Sequence, residues 1–360
     1  MTVFSNVAFD DHEQVVFCSD PEAGLKAIIA IHSTALGPAA GGCRMWNYAS
    51  DEEALVDVLR LSRGMSYKNA MAGLALGGGK AVIIGDAKKD KTPELMRAFG
   101  RFVERVAGQY ITAEDVGMST ADMAFVREET SHVVGLDAGV AASGDPSPYT
   151  AHGVFSGIRS ALRAKVGHDD LNGVKVALQG LGNVGFNLAR ELTEAGAILT
   201  VADIEPSRVE RAVRELGAKA VDINEILFAD VDVLAPCALG AIINDRSIDK
   251  IKASIIAGGA NNQLARDEHG QMLNEKGILY APDYVINGGG IMNCSLEVEG
   301  RTSTPAESML WMETIGVTLD EIFAEAKASG KATNEVADAL ARERIAKAQA
   351  DKKKSNKAAA

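Results

Sequence analysis

Apolar positions recur along this chain with two periods. In the first third, the runs Leu25–Ile31 and Ala81–Ile84 are strand-like. Between them Ser50-Asp-Glu-Glu53 forms a capping box, and Leu55, Val58, Leu59 and Ser62 follow at helical spacing, predicting a helix that continues through Lys68. Thr92 opens a second helix, with Pro93 in its first turn and Met96, Phe99, Phe102, Val103 and Val106 on one side. From Val174 onward the alternation is regular. Val174–Gln179, Ile198–Asp203, Val231–Ala235, Ile255–Gly258 and Ile278–Ala281 are β-rich runs separated by helical stretches, which predicts a parallel, doubly wound sheet. Thr304-Pro-Ala-Glu307 is another capping box, opening a long helix with Met312, Ile315, Leu319, Ile322 and Ala326 inward and Gly330 as its stop. A last helix is predicted over Thr333–Ala348, and the tail 351–360, lacking apolar periodicity, is expected to be disordered.

The fold class is therefore α/β with two domains, as the length of 360 residues also suggests. Gly, Ser, Asp and Pro gather between Ala138 and Tyr149, which is hinge composition, so the boundary is placed at 140/141. The second domain, Rossmann-type, then spans 141–330, and the C-terminal helix, 331–350, is expected to return to the first.

Composition narrows the function classes. Apolar residues make up 47% and charged residues 24%, the balance of a globular protein with sizeable cores. The net charge is −12 and the basic residues are scattered, which argues against a nucleic-acid or membrane-surface binder. The four cysteines (Cys18, Cys43, Cys237, Cys294) form no CxxC pair, so neither a metal site nor a disulfide framework is expected. Widely spaced thiols fit a reducing, cytoplasmic setting. No leader-like segment and no apolar run near roughly 18 residues is present.

The glycine clusters carry the candidate chemistry. Gly180-Leu-Gly182-Asn183-Val184-Gly185 is preceded by a strand, followed by a helix read over Asn187–Glu194, and succeeded by a strand ending in Asp203, roughly 20 residues on, as the dinucleotide fingerprint requires. Gly180 permits the tight turn, Gly182 lets backbone approach a pyrophosphate, and Gly185 lets helix and strand pack. Asp203 would accept from ribose hydroxyls and repel a 2′-phosphate, favouring NAD; Arg208 keeps NADP open.

Gly77-Gly-Gly79-Lys80 is not a P-loop, because no Ser or Thr follows the lysine and the spacing differs. Three glycines imply close backbone approach, and a lysine closing such a turn is expected to be partly desolvated. Lys68 lies nearby in sequence on a helix that also presents Met65. Two ammonium groups losing water in one cleft would push a lysine pKa toward the working pH and let it act as a base. The plain alternative is a pair of surface lysines. Ala113-Glu-Asp115-Val-Gly117 supplies acids after the strand Tyr110–Thr112, as part of that site or as a solvated turn.

Taken together, Gly41-Gly-Cys-Arg44, Met65–Lys68, Gly77–Lys80, ITAEDVG, GLGNVG, Ala235-Pro-Cys-Ala238, Gly259-Ala-Asn-Asn262 and Ala281–Asn287 resemble the glutamate/leucine/phenylalanine/valine dehydrogenase family over nearly the whole chain, with the leucine-type members nearest. The resemblance implies that an NAD-dependent enzyme deaminates an L-amino acid to its 2-oxo acid and ammonia. It implies Lys80 as the lysine that activates water, Asp115 as the acid that moves protons at the amine, and Lys68 on the substrate carboxylate. Asn262, Gly42 and Met65 are implied beside the substrate. Thr150, Ile204, Cys237, Ala238, Ala260, Asn261 and Asn287 join Gly180, Gly182, Asn183, Val184, Gly185 and Asp203 around the cofactor. A homo-oligomer assembled through the first, substrate-binding domain is also implied.

In the glutamate enzymes a lysine precedes the paired glycines; here Ala40 stands there. A γ-carboxylate buried without a partner costs several kcal/mol, so glutamate is disfavoured. Ala40, Ala113, Ile291 and Cys294 resemble the pocket wall, and they point to leucine and other branched-chain substrates. Ala40 enlarges the pocket and Ile291 shrinks it, so phenylalanine stays open, since a methylene or two changes discrimination by about 1–3 kcal/mol. Gly288, in Gly288-Gly-Gly290, departs from an alanine common in the family. A rival of another class is a non-catalytic NAD-binding sensor, which gives no reason for Lys68, Lys80 and Asp115 together.

Overall fold

A computed structural model describes residues 3–136 and 145–359. The chain divides into two compact units: Met1–Gly144 with Cys294–Thr302 and Ala341–Ala360, and Asp145–Asn293 with Ser303–Leu340.

Among the described residues, the first unit is built on a six-stranded mixed sheet: β1 (Gln14–Asp20), β2 (Leu25–Ser33), β3 (Ala39–Ala40), β4 (Cys43–Trp46), β5 (Gly77–Ile84) and β6 (Tyr110–Ile111). The order is β1-β2-β5-β3-β6, with β4 also pairing with β5. β1, β2 and β5 run antiparallel in turn, whereas β3, β4 and β6 join in parallel. Alternation along β2 explains its apolar run Ala27–Ile31. Ile29 and Ile31 enter a core with Met96, Phe99 and Val103 of the helix Pro93–Arg105, while Ile28 and Ala30 enter another with Val58 and Leu59 of the helix Asp51–Met71. Each such aliphatic side chain, fully buried, contributes about 1.5–3 kcal/mol. Both helices start on the expected side-chain caps, Ser50 and Thr92.

The second unit carries an all-parallel sheet of β7 (Lys175–Gln179), β8 (Ile198–Ala202), β9 (Lys219–Ala220), β10 (Val233–Pro236), β11 (Ile255–Ile256) and β12 (Leu279–Tyr280). Its order, β12-β11-β10-β7-β8-β9, reverses direction between β7 and β10, as a Rossmann sheet does. Ligands in such sheets sit beyond the carboxyl ends of the strands at this reversal.

Several local expectations need correction. Residues 351–359 of the tail are helical: the last helix runs Thr333–Ala359, since Lys and Ala are good helix formers and no Gly or Pro interrupts them. That helix is shared between the units, dividing at Leu340/Ala341. The long helix after Thr304 is two, Pro305–Met312 and Thr314–Ser329, interrupted at Glu313; Gly330 does cap the second in the left-handed region. The helix after the fingerprint starts at Asn183, a turn earlier than Asn187, because Gly182 itself is its cap. Most of the supposed hinge lies outside the described residues, and its end, Ser147–Tyr149, already belongs to the helix Ser147–Val166.

Candidate active site

Lys80 sits in the middle of β5, not at the end of a turn, and is only 6% exposed. The three glycines before it are therefore strand residues, and packing accounts for them. A Cβ on Gly78 would lie 2.0 Å from the Ser66 backbone nitrogen, one on Gly77 2.0 Å from the Ser33 carbonyl oxygen, and one on Gly79 2.7 Å from the Tyr110 ring. Only glycine lets the helix Asp51–Met71 settle so close on the strand. Met65 and Lys68, both half-buried, flank that contact on the helix. Asn69 fastens the same helix end by donating from Nδ2 to the Gly77 carbonyl at 2.6 Å.

Asp115 is carried by a segment clamped on both sides. Cys43 N donates to the Ala113 carbonyl at 2.8 Å, Met45 N to Val116 at 2.9 Å, and Thr112 N to His132 at 3.0 Å. Gly42 and Gly117 make the approach possible: a Cβ on Gly42 would stand 2.5 Å from the Glu114 oxygen, and Gly117 has φ +82° with no room beside the Met45 oxygen. The Asp115 carboxylate pairs with the Lys80 ammonium. Burial pushes the Asp115 pKa up, yet Lys80, and after it Arg44 with Nε 3.5 Å from Oδ2, hold it below the ordinary carboxylate value. Lys80 thus shares its site with a carboxylate, so the segment that bears Asp115 belongs to this site and is not a solvated turn. Ala40 is buried on β3 opposite Gly78, and Ala113 is half-buried.

In the second unit, Gly180 follows β7 with φ +94°, and its hypothetical Cβ would lie 2.8 Å from Cβ of Ala238 after β10. Gly185 is packed against the Gly180 oxygen, whereas Gly182 faces open space. No side chain caps the helix that begins at Asn183, so its first N–H groups are available to an anion. Asp203 accepts from Leu181 N at 2.6 Å and Glu205 N at 2.8 Å, with Arg208 at 3.6 Å; its side chain is 5% exposed. Val184 and Cys237 both border Gly259, and Cys237 accepts the Gly259 N–H at 3.4 Å. Asn287 Nδ2 donates to Asn261 Oδ1 at 2.7 Å, while its own Oδ1 is buried without a partner. Asn262 is exposed with φ +51°.

The family model described as Glu/Leu/Phe/Val dehydrogenase, dimerisation domain, matches residues 12–132, and the model Glutamate/Leucine/Phenylalanine/Valine dehydrogenase matches 205–352. The leucine dehydrogenase of Geobacillus stearothermophilus is 53% identical over 345 residues, 96% of this chain and 94% of that protein. The chain belongs to the Glu/Leu/Phe/Val dehydrogenase family. A phenylalanine dehydrogenase of Caldalkalibacillus thermarum is 47% identical over 353 residues, 95% of this chain and 94% of that protein. The crystal structure of L-tryptophan dehydrogenase from Nostoc punctiforme is similar at a TM-score of 0.84 and 47% identity, covering 94% of this chain and 96% of that one.

As an amino-acid dehydrogenase, the chain carries its expected site residues in both units. Ala40, Gly42, Met65, Lys68, Lys80, Ala113, Asp115 and Cys294 belong to the first; Asn262, Ile291, Thr150, Ile204 and the remaining cofactor candidates belong to the second. Thr150 Oγ1 would lie 2.9 Å from a Cβ on Gly290, and Gly289 packs on the Tyr149 oxygen, so these glycines serve helix packing. Sequence reasoning overlooked Gln263, fully buried, whose Nε2 donates to the Gly258 and Ala260 carbonyls at 2.7 and 3.0 Å and so shapes the loop that bears Asn261 and Asn262. A polar residue directly after Asn-Asn offered little sign of that role. It also gave no role to Arg44, Tyr48 or Asp57, which join behind Asp115 through tertiary contacts alone.

Proposed function

We propose that this dehydrogenase converts an apolar L-amino acid, leucine and other branched-chain ones foremost, to the 2-oxo acid and ammonia with NAD, and catalyses the reverse amination. The observation that carries the reading is the pair of buried Lys80 with half-buried Asp115 beside Gly42, together with Ala40 in place of a side-chain-binding cation.

The residues of the second unit fit a dinucleotide. Gly182 leaves the loop open, the Asn183 helix terminus is uncapped, and the unpaired Asn287 Oδ1 is a buried acceptor that suits an amide N–H. Asp203, held by two backbone N–H groups, sets a fixed negative charge where a 2′-phosphate would be repelled. The dinucleotide, when bound, accepts the hydride from the substrate Cα. Lys68 binds the substrate carboxylate. Lys80 takes a proton from the water that adds to the substrate iminium, and Asp115 moves the proton that lets ammonia leave. Burial favours this exchange, because both groups act in a medium where a neighbouring charge counts for more than in water.

A second reading, an aromatic substrate, draws on the small Ala40 and on the phenylalanine and L-tryptophan relatives at 47% identity. A panel of L-amino acids with NAD and with NADP, scored by kcat/KM, tests both. Leucine should lead, with glutamate lower by at least about a hundredfold, since several kcal/mol at tenfold per 1.4 kcal/mol separates them. Glutamate turnover equal to leucine would overturn the assignment. The match to a dimerisation-domain model supports a homo-oligomer. Four free cysteines among the described residues support a cytoplasmic setting, and no helix among those residues is long and apolar enough to cross a membrane.

A further inference from the structure

Asp115 has to be ionised before it can take up a proton at the amine, in a place that disfavours charge. Its neighbour Lys80 is, in the function proposed above and on which this inference rests, a base, and a base must be neutral when it takes its proton. At that moment the main counter-charge beside Asp115 is gone. A buried carboxylate so exposed to its own desolvation would take up a proton itself, and the two groups would exchange roles unproductively. The site needs a second cation whose charge never changes.

Arg44 supplies one. It lies on β4, paired with Val82 of β5 two residues beyond Lys80, and its guanidinium is largely buried. Nε is 3.5 Å from Asp115 Oδ2, close enough for charge though without a hydrogen bond, and Nε has no other partner. The other end of the guanidinium is taken: Nη1 donates to Asp57 Oδ2 at 3.0 Å, and the Tyr48 hydroxyl donates to the same oxygen at 2.6 Å. Asp57 lies on the helix Asp51–Met71, the helix that carries Met65 and Lys68.

We propose that Arg44 is a positioning residue for Asp115, and that Asp57, steadied by Tyr48, sets how much of the Arg44 charge Asp115 receives. Arg44 holds Asp115 anionic while Lys80 is neutral, so that Asp115 takes up its proton at the amine and not from the water that Lys80 activates; Asp57 competes for Arg44 and prevents it from swinging onto Asp115 and displacing Lys80. Among the described residues, the other titratable and charged groups facing this corner are Cys43 on β4, Tyr110 on β6, Glu53 and Arg60 of the helix Asp51–Met71, which line the same cavity as Arg44 and Asp57, and Asp122, which pairs with Lys91 at 2.7 Å. Burial pushes the Cys43 thiol and the Tyr110 hydroxyl up, so both are neutral in the range where Asp115 titrates.

The arrangement predicts opposite effects from two substitutions. Arg44→Gln removes a cation and should weaken Asp115 as an acid, raising the midpoint of its titration by about tenfold in proton affinity. Asp57→Asn removes an anion and frees Arg44, so the same midpoint should fall. Arg44→Lys should restore part of the wild-type value. The acid limb of kcat/KM against pH reads this during turnover, and the carboxyl carbon resonance of Asp115, assigned by its loss in Asp115→Asn, reads it in the cofactor-free protein. A cavity of about 420 Å³ lined by Arg44, Trp46, Tyr48 and Asp57 admits water beside either shortened or neutralised side chain, which favours folding of both variants. If Arg44→Gln does not fold, the near-isosteric Asp57→Asn decides alone. Midpoints that shift in the same direction, or stay fixed while activity falls, would overturn the proposal. Wild-type protein that deaminates no amino acid would overturn the function above, and the carboxyl resonance would still judge the role of Arg44.

Discussion

Gly78 and Ser66 meet backbone to backbone: a methyl group on Gly78 would lie 2.0 Å from the Ser66 nitrogen and 2.2 Å from its hydroxyl oxygen. This contact sets the spacing between the strand that bears Lys80 and the helix that bears Lys68. Gly78→Ala is therefore expected to force helix and strand apart, at a cost of about 1–3 kcal/mol or more. Denaturant titration should show the lost stability, and the KM for the amino acid should rise as Lys68 moves. Unchanged stability and kinetics would mean that the helix has slack there.

Gly182 offers the contrast, since nothing lies within 4 Å of a Cβ at that position. Gly182→Ala should leave stability within about 0.5 kcal/mol, as surface changes do. Its effect should fall on dinucleotide affinity, weakened at least about tenfold because the methyl group occupies the space into which a pyrophosphate must come. Calorimetric titration with NAD measures it. An unaltered affinity would remove this loop from the cofactor site.

The difference between these two glycines also shows what could be read before folding. Gly180, Gly182 and Gly185 were interpretable because their meaning depends on a short, local frame of strand, turn and helix, with Asp203 a fixed distance on. Gly77–Gly79 drew attention by composition, but their neighbours, Ser33, Ser66 and Tyr110, come from three other elements, and no local pattern names them. The Arg44–Asp57–Tyr48 group was hidden for the same reason. Asp57 sits between Leu55 and Val58 on a helix read for its apolar face, and only β4 packing turns it toward Arg44. The lysine-rich tail has no apolar face to mark it, yet a helix polar all round can extend from one already nucleated.

Asp203 holds the turns on either side of it by accepting from Leu181 N and Glu205 N. Leu181 N and Glu205 N both depend on its carboxylate, so Asp203→Ala should cost about 1–3 kcal/mol by leaving donors unsatisfied, besides weakening NAD. It also releases Arg208, now 3.6 Å away, to face a phosphate. The ratio of kcat/KM for NAD over NADP should therefore narrow at least about tenfold. A ratio that stays wide would show that discrimination lies elsewhere.

Lys80 and Lys68 should separate in kinetics. Lys80→Ala removes the proposed proton acceptor and is expected to lower kcat by about a hundredfold to ten-thousandfold, with the fold intact by circular dichroism. Lys68→Ala should act mainly on KM for the amino acid. Near-wild-type turnover by Lys80→Ala would end its role as base, and equal effects of both substitutions on kcat and KM would mean that the two lysines act as one unit.

His152 gives the second unit a pH-dependent tie. Its Nδ1 lies 2.8 Å from Glu191 on the fingerprint helix, and Nε2 lies 4.0 Å from Glu313 at the break between two helices; Phe155 stacks on the ring and Arg159 is the nearby opposing cation. The bond to Glu191 outweighs burial and raises the His152 pKa above its ordinary 6.5. A histidine that binds its proton more tightly when folded stabilises the fold fully below the unfolded pKa. That contribution disappears as pH rises through the higher folded pKa. With both side chains about a fifth exposed, a contribution of about 1 kcal/mol is expected. Glu191→Gln should thus be less stable than wild type at about pH 5.5 and converge with it by about pH 9, in denaturant titrations run at both. A stability gap that is the same at both ends would show that Glu191 acts through packing, and a gap that widens with pH would mean that the histidine is held neutral.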